Sequence, residues 1–181
     1  MDSATFRARQ APLKDRYRQD PAAALVTARG EATLTPDGGA TVPTWAGVVT
    51  AGLHPATGGD GSLACSADML LQAVASCAAV TLNSIAVARG VTLRKAVVAV
   101  EGTWDARGTL GIARDAPVGL SSVRLKFDLD TDADAATQQR LVELTERYCM
   151  VLQTLLHPPQ MQAALGSSPS AAHTSPAVLP P

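Results

Sequence analysis

Residues 66–91 read SADMLLQAVASCAAVTLNSIAVARGV, and this stretch decides the fold. From Met69 to Ala88 it is apolar almost all round, interrupted only by Gln72, Ser76, Thr81, Asn83 and Ser84. A helix without a polar face belongs at the centre of a fold, so this one is expected to be central and buried. Ser66 suits the N-cap, and Asp68 in the first turn complements the positive end of the helix dipole. Arg89-Gly90 supplies the basic residue and the glycine that close a helix. At its middle sits Cys77.

The flanks on either side read as strands. Ala24 to Thr35 and Ala40 to Ala51 are β-tolerant and are joined by Pro36-Asp37-Gly38-Gly39, a strong turn signal that predicts a hairpin. Residues 52–61 hold four glycines and His54-Pro55, and read as loop. After the helix, Leu93 to Trp104 is valine-rich and reads as a strand. Asp105 to Gly108 reads as a turn, and Thr109 to Ala113 as a short return strand. In Ser122 to Asp130, Val123, Leu125, Phe127 and Leu129 alternate with Arg124, Lys126, Asp128 and Asp130. That period of two puts one face on a core and the other in water. A last helix is expected from Asp132 or Asp134 to His157-Pro158-Pro159, with Leu141, Leu144, Tyr148 and Leu152 on one apolar stripe running through Cys149. Hairpin, helix, strands, helix is the order of an α+β fold with a mostly antiparallel sheet.

Three segments follow from this pass. Residues 1–20 are polar and carry Arg7, Arg9, Lys14, Arg16 and Arg18; they read as an arm, with a turn or two of helix over Pro12 to Gln19. Residues 21–160 form the domain. Residues 161–181 form a Pro/Ser/Ala-rich tail expected to be disordered.

Composition narrows the function. At 181 residues and 46% apolar content, one domain with a real core is expected. The net charge is −1 with no basic stripe, and six aromatic residues are too few for base stacking, so nucleic acid is not an expected partner. The apolar run of residues 69–82 is too short and too polar for a membrane span. The basic N-terminus lacks the apolar core of a secretory signal. A cytoplasmic protein with reduced thiols is therefore expected. No Cys and His pair has metal-site spacing, so no metal site is expected. Gly58-Gly59-Asp60-Gly61 lacks the lysine and hydroxyl of a phosphate loop and reads as a bend.

The cysteines allow two readings. Cys77 in a small-residue helix, with Cys149 lying 72 residues later, suits a two-thiol redox site. Cysteine is also among the most buried residue types, so both thiols suit an inert core. Cys65 reads as structural or adventitious. His54 sits where it could line a site and hydrogen-bond a substrate, or simply meet solvent. Glu143 and Arg147 read as an i,i+4 pair on an exposed helix face.

Residues 66–91, followed by VEGTWDARGTLG (100–111), the alternating strand and TERYCMVLQTL (145–155), resemble the OsmC/Ohr family of organic hydroperoxide-reducing proteins over roughly residues 24–156. The resemblance implies an intertwined homodimer, with sheets wrapped around central helices and sites near the subunit interface. It implies that Cys77 attacks an organic hydroperoxide, that Cys149 resolves the product as a disulfide, and that an external dithiol restores both without a cofactor. In the family, an arginine from the first hairpin loop and a glutamate ten residues before the attacking cysteine activate it. Here the turn at residues 36–39 has no arginine, and Ala67 stands at the glutamate position with Asp68 beside it. The family's usual Pro and Ser near the second cysteine are replaced around Cys149 by Met150, Val151 and Leu152. Arg29, or Arg16 or Arg18 of the arm, could stand in for the arginine, and Asp68 for the glutamate. An apolar pocket raises a thiol pKa, and the helical neighbours Ala73, Val74, Val80 and Thr81 read as offering Cys77 no relief. Two other readings share the fold: a non-enzymatic protein that binds a small apolar ligand, and a redox sensor that binds a partner.

Overall fold

The computed structural model describes residues 3–166. Helix α1 (Ser3–Gln19) is longer than the turn or two expected. It carries Pro12 inside it, buries no residue and touches α2 (Ser66–Arg89). The tail from residue 167 onward lies outside the described residues.

One sheet contains β1 (Thr33–Leu34), β2 (Ala40–Thr44), β3 (Gly47–Gly52) and β4 (Ala64–Cys65), in that order. The turn at residues 36–39 forms as expected, with the Thr35 N–H donating to the Gly39 carbonyl at 2.9 Å. The strand before it does not run from Ala24: Pro21–Ala24 is a 3-10 turn and only Thr33 and Leu34 pair. The expected second strand is two strands. Its middle folds back at Thr44-Trp45-Ala46-Gly47, where the Thr44 hydroxyl donates to the Gly47 carbonyl at 2.7 Å and Gly47 has φ +130°. Only glycine takes that φ at no cost. Antiparallel pairing dominates; β3 and β4 alone run parallel.

The second sheet is a ladder of β5 (Lys95–Trp104) and β6 (Leu120–Asp130). The alternation read in the sequence holds from Leu125 onward: Leu125, Phe127 and Leu129 face the core and pair across from Val100, Val98 and Ala96, whereas Val123 is exposed. The expected return strand at Thr109–Ala113 is absent. In its place α3 (Ala106–Thr109) forms one turn, with the Asp105 carboxylate accepting from the Arg107 N–H at 3.0 Å.

Helix α2 packs one stripe, Val74, Ala78, Leu82 and Ala86, against β5 and the last helices. Its C-terminus closes as read: Gly90 at φ +70° lets the Val91 N–H reach the Ala86 carbonyl at 2.9 Å. Its N-cap is Cys65, not Ser66, and makes no side-chain cap bond. The expectation of burial all round is not met within one chain: Ala73, Ser76, Val80 and Asn83 are exposed. By length and composition α2 alone, among the described residues, could cross a membrane. Here it is the helix around which the chain packs.

The last helix is two helices. Helix α4 (Ala135–Tyr148) starts at Asp134, whose carboxylate accepts from the Thr137 N–H at 2.7 Å. Helix α5 (Met150–Leu156) follows after a break at Cys149. Leu141, Leu144 and Leu152 are buried as read, whereas Tyr148 is exposed beneath the Arg147 guanidinium. Glu143 pairs with Arg140 at 3.0 Å rather than with Arg147.

Candidate functional site

Cys149 is where the chain stops being helical. Its φ of −72° and ψ of 104° are extended, so it ends α4 and is also the N-cap of α5. The first amides of a helix have no partner within it. Those of α5, on Met150, Val151 and Leu152, favour negative charge on the sulfurs of Cys77 and Cys149. Cys149 is fully buried beside Ala78 and Leu152, and half-buried Cys77 packs against the same cluster with Val98, Leu125 and Phe127. The thiols read as distant in sequence are neighbours in space.

Their surroundings separate their proton affinities. Burial pushes the Cys77 thiol up, but the Val151 N–H, the Cys149 thiol, the Thr81 hydroxyl and the Met150 N–H all favour its thiolate. Together they hold it below the ordinary thiol value. Burial pushes Cys149 up; the Leu152 N–H opposes this, the hydrogen bond to Cys77 and the negative charge there reinforce it, and the Val151 N–H opposes it again. The net effect leaves Cys149 protonated above the ordinary range. Of the two, Cys77 is the thiol that gives up its proton more readily and Cys149 the one that keeps it.

This corrects the reading that the helix offers Cys77 no relief, since the Thr81 hydroxyl, one turn on, favours its thiolate. The main-chain donors were not legible, because nothing in TERYCMVLQTL interrupts the helical pattern. The only sequence signal was the hydroxyl of Thr81 at i+4.

The other candidate residues lie elsewhere. Asp68 is nine residues before Cys77 on α2, about 13 Å along the axis at 1.5 Å per residue. Arg29 is exposed in the irregular segment before β1, and Arg18 pairs with Asp15 at 2.6 Å. His54 is fixed, not loose: its Nδ1 accepts from the Ala56 N–H at 3.0 Å and its ring meets Trp104 edge-on at 5.4 Å. With Leu53, Cys65, Leu70, Trp104 and Leu120 it lines a cavity of about 350 Å³ near the start of α2, separate from the Cys77 cluster.

A family model described as OsmC-like protein matches residues 59–164, more than half of the chain. The chain belongs to the OsmC-like family. Solved structures agree on the fold. The chain is similar to an OsmC-like protein from Mycoplasma pneumoniae (19% identity, TM-score 0.64, covering 74% of this chain and 89% of that one). It is also similar to an organic hydroperoxide resistance protein OsmC from Legionella pneumophila (14%, 0.51, 74% and 92%). A third is the organic hydroperoxide resistance protein OhrB of Bacillus subtilis (16%, 0.50, 75% and 94%). Comparison with curated protein sequences gave no match. At these identities the likeness is one of fold. In this OsmC-like chain, hydrogen bonds from the main chain and Thr81 surround Cys77, where the resemblance implied an arginine and a glutamate.

Proposed function

We propose that this chain is a thiol-dependent peroxidase that reduces organic hydroperoxides through two cysteines, in defence against oxidative stress. The observation that carries this reading is the contact of Cys77 and Cys149 with opposite proton preferences. The Cys77 thiolate attacks the distal peroxide oxygen. The O–O bond breaks, the alkoxide leaves and takes a proton to become the alcohol, and Cys77 becomes a sulfenic acid. The Cys149 thiol attacks that sulfur, and the two join as a disulfide with loss of water. An external dithiol then reduces the disulfide, returning two electrons and two protons. Val98, Leu125 and Phe127, packed with Cys77 against the same buried cluster, favour an alkyl or lipid peroxide over hydrogen peroxide.

The working form is a cytoplasmic homodimer. The open face of α2 supports this: Ala73, Ser76 and Val80 form a small, largely apolar stripe exposed in a single chain, and small residues permit close helix approach. Trp45 at the β2–β3 hairpin tip is 97% exposed, as expected of a tip that reaches a partner.

The test is one equivalent of cumene hydroperoxide added to reduced protein, with disulfides mapped by non-reducing peptide mass spectrometry. Rapid peroxide loss with a Cys77–Cys149 crosslink, both abolished by Cys77→Ser, is the expected result. Unconsumed peroxide with free thiols overturns the reading. The cavity beside His54 and Trp104 favours a second one, in which the fold binds a small apolar ligand without turnover.

A further inference from the structure

The break at Cys149 leaves a hydrogen-bond deficit that one side chain repairs. In an unbroken helix the N–H groups of Met150, Val151 and Leu152 would donate to the carbonyls of Glu146, Arg147 and Tyr148. The extended backbone at Cys149 separates the two sets. The bonds on either side of the break survive: Cys149 N–H donates to the Thr145 carbonyl at 2.8 Å, and Gln153 N–H donates to the Cys149 carbonyl at 2.9 Å. Between them the released amides are those that favour a thiolate at Cys77 and oppose the effect of burial at Cys149. The Glu146 carbonyl is not left bare. It accepts from Nε2 of Gln153, seven residues on, at 2.8 Å.

We propose that Gln153 is a positioning residue: its carboxamide replaces the Met150 N–H at the Glu146 carbonyl, and so holds the break open with the Met150 and Val151 amides on the Cys77 sulfur. Gln153 touches neither thiol in this role. It acts by removing the advantage of the competing state, in which α4 and α5 join and Met150 takes back its carbonyl. With that carbonyl not taken by the carboxamide, the joined state would gain the Met150 N–H bond there, at the modest net value of a hydrogen bond on an exposed stretch of helix. The Thr154 hydroxyl donates to the Met150 carbonyl at 2.9 Å and steadies the same turn from the other side. This inference rests on the reading of Cys77 as the reactive thiolate, but its test needs no peroxide.

The experiment measures the rate of Cys77 alkylation by iodoacetamide against pH, with the modified cysteine identified by peptide mass spectrometry. It compares the full chain with Gln153→Met and Gln153→Lys. Methionine keeps the length and the helix propensity but cannot donate; lysine can donate. The expected result for Gln153→Met is a midpoint displaced upward by about one unit, with roughly tenfold slower alkylation below it. Gln153→Lys should stay close to the parent, and all three should share one circular dichroism spectrum. A parental midpoint in Gln153→Met overturns the inference, as does an equal displacement in both variants. If Gln153→Met shows the displacement while the parent chain consumes no peroxide, the positioning role stands and the peroxidase reading falls.

Discussion

At Cys77 a single sulfur decides whether the site is chemistry or filling. Burial alone would keep it a thiol. Four hydrogen-bonding groups reverse that, and Cys149 beside it is driven the other way. As pH rises, Cys77 loses its proton first, below the ordinary thiol value of 9.0, while Cys149 keeps its proton past it. As pH is raised, iodoacetamide should therefore label Cys77 before Cys149; equal labelling of both would contradict the assignment. Thr81→Val keeps the shape and removes one donor. It should raise the Cys77 midpoint by roughly half a unit to one unit, read from thiolate absorbance near 240 nm. The thiols, and Thr81 as a neighbour, were legible in the sequence because their types are distinctive. Arg29, Asp68 and His54 were reasonable candidates by type, but type carries no distance: Asp68 lies about 13 Å along α2 from Cys77, and His54 is held against Trp104.

Among the elements, periodicity was a good guide wherever one face met the core throughout. Leu125, Phe127 and Leu129 on β6, and Leu141 and Leu144 on α4, fall where their spacing places them. It failed where the backbone turns inside a run of residues that otherwise keeps its pattern. The break at Cys149 is invisible because Leu152 resumes the stripe of Leu141 and Leu144. The bend at Trp45 hides among β-formers, marked only by Pro43 before it and Gly47 after it. The break can be tested directly. Met150→Pro keeps a residue suited to the first helical position but removes its N–H. The Cys77 midpoint should rise, with α5 intact by circular dichroism; an unchanged midpoint would mean the Met150 amide does not act on the sulfur. Core packing gives a separate prediction. Leu82 is fully buried between α4 and the β5–β6 ladder, so Leu82→Ala should cost about 3 kcal/mol in urea unfolding without altering thiol reactivity at neutral pH.

For the whole molecule, the same helix is core on one side and open surface on the other. Residues 69–88 are apolar nearly all round, yet within one chain only Val74, Ala78, Leu82 and Ala86 are fully buried. A sequence records that a residue is to be dry; it does not record whether its own chain or another covers it. That gap separates the expectation of a buried helix from the half-covered helix observed, and the proposed homodimer closes it. Val80 is the residue on which to test this, because it is 68% exposed on the open face. A carboxylate there meets water in a lone chain and costs the fold little. Against a second copy it would be desolvated without a partner, which is expensive. Val80→Asp should therefore convert a dimer to a monomer in sedimentation velocity, weakening association by roughly a hundredfold or more, while the far-ultraviolet spectrum stays unchanged. If the parent chain sediments as a monomer, the open face of α2 is covered by something other than a second copy.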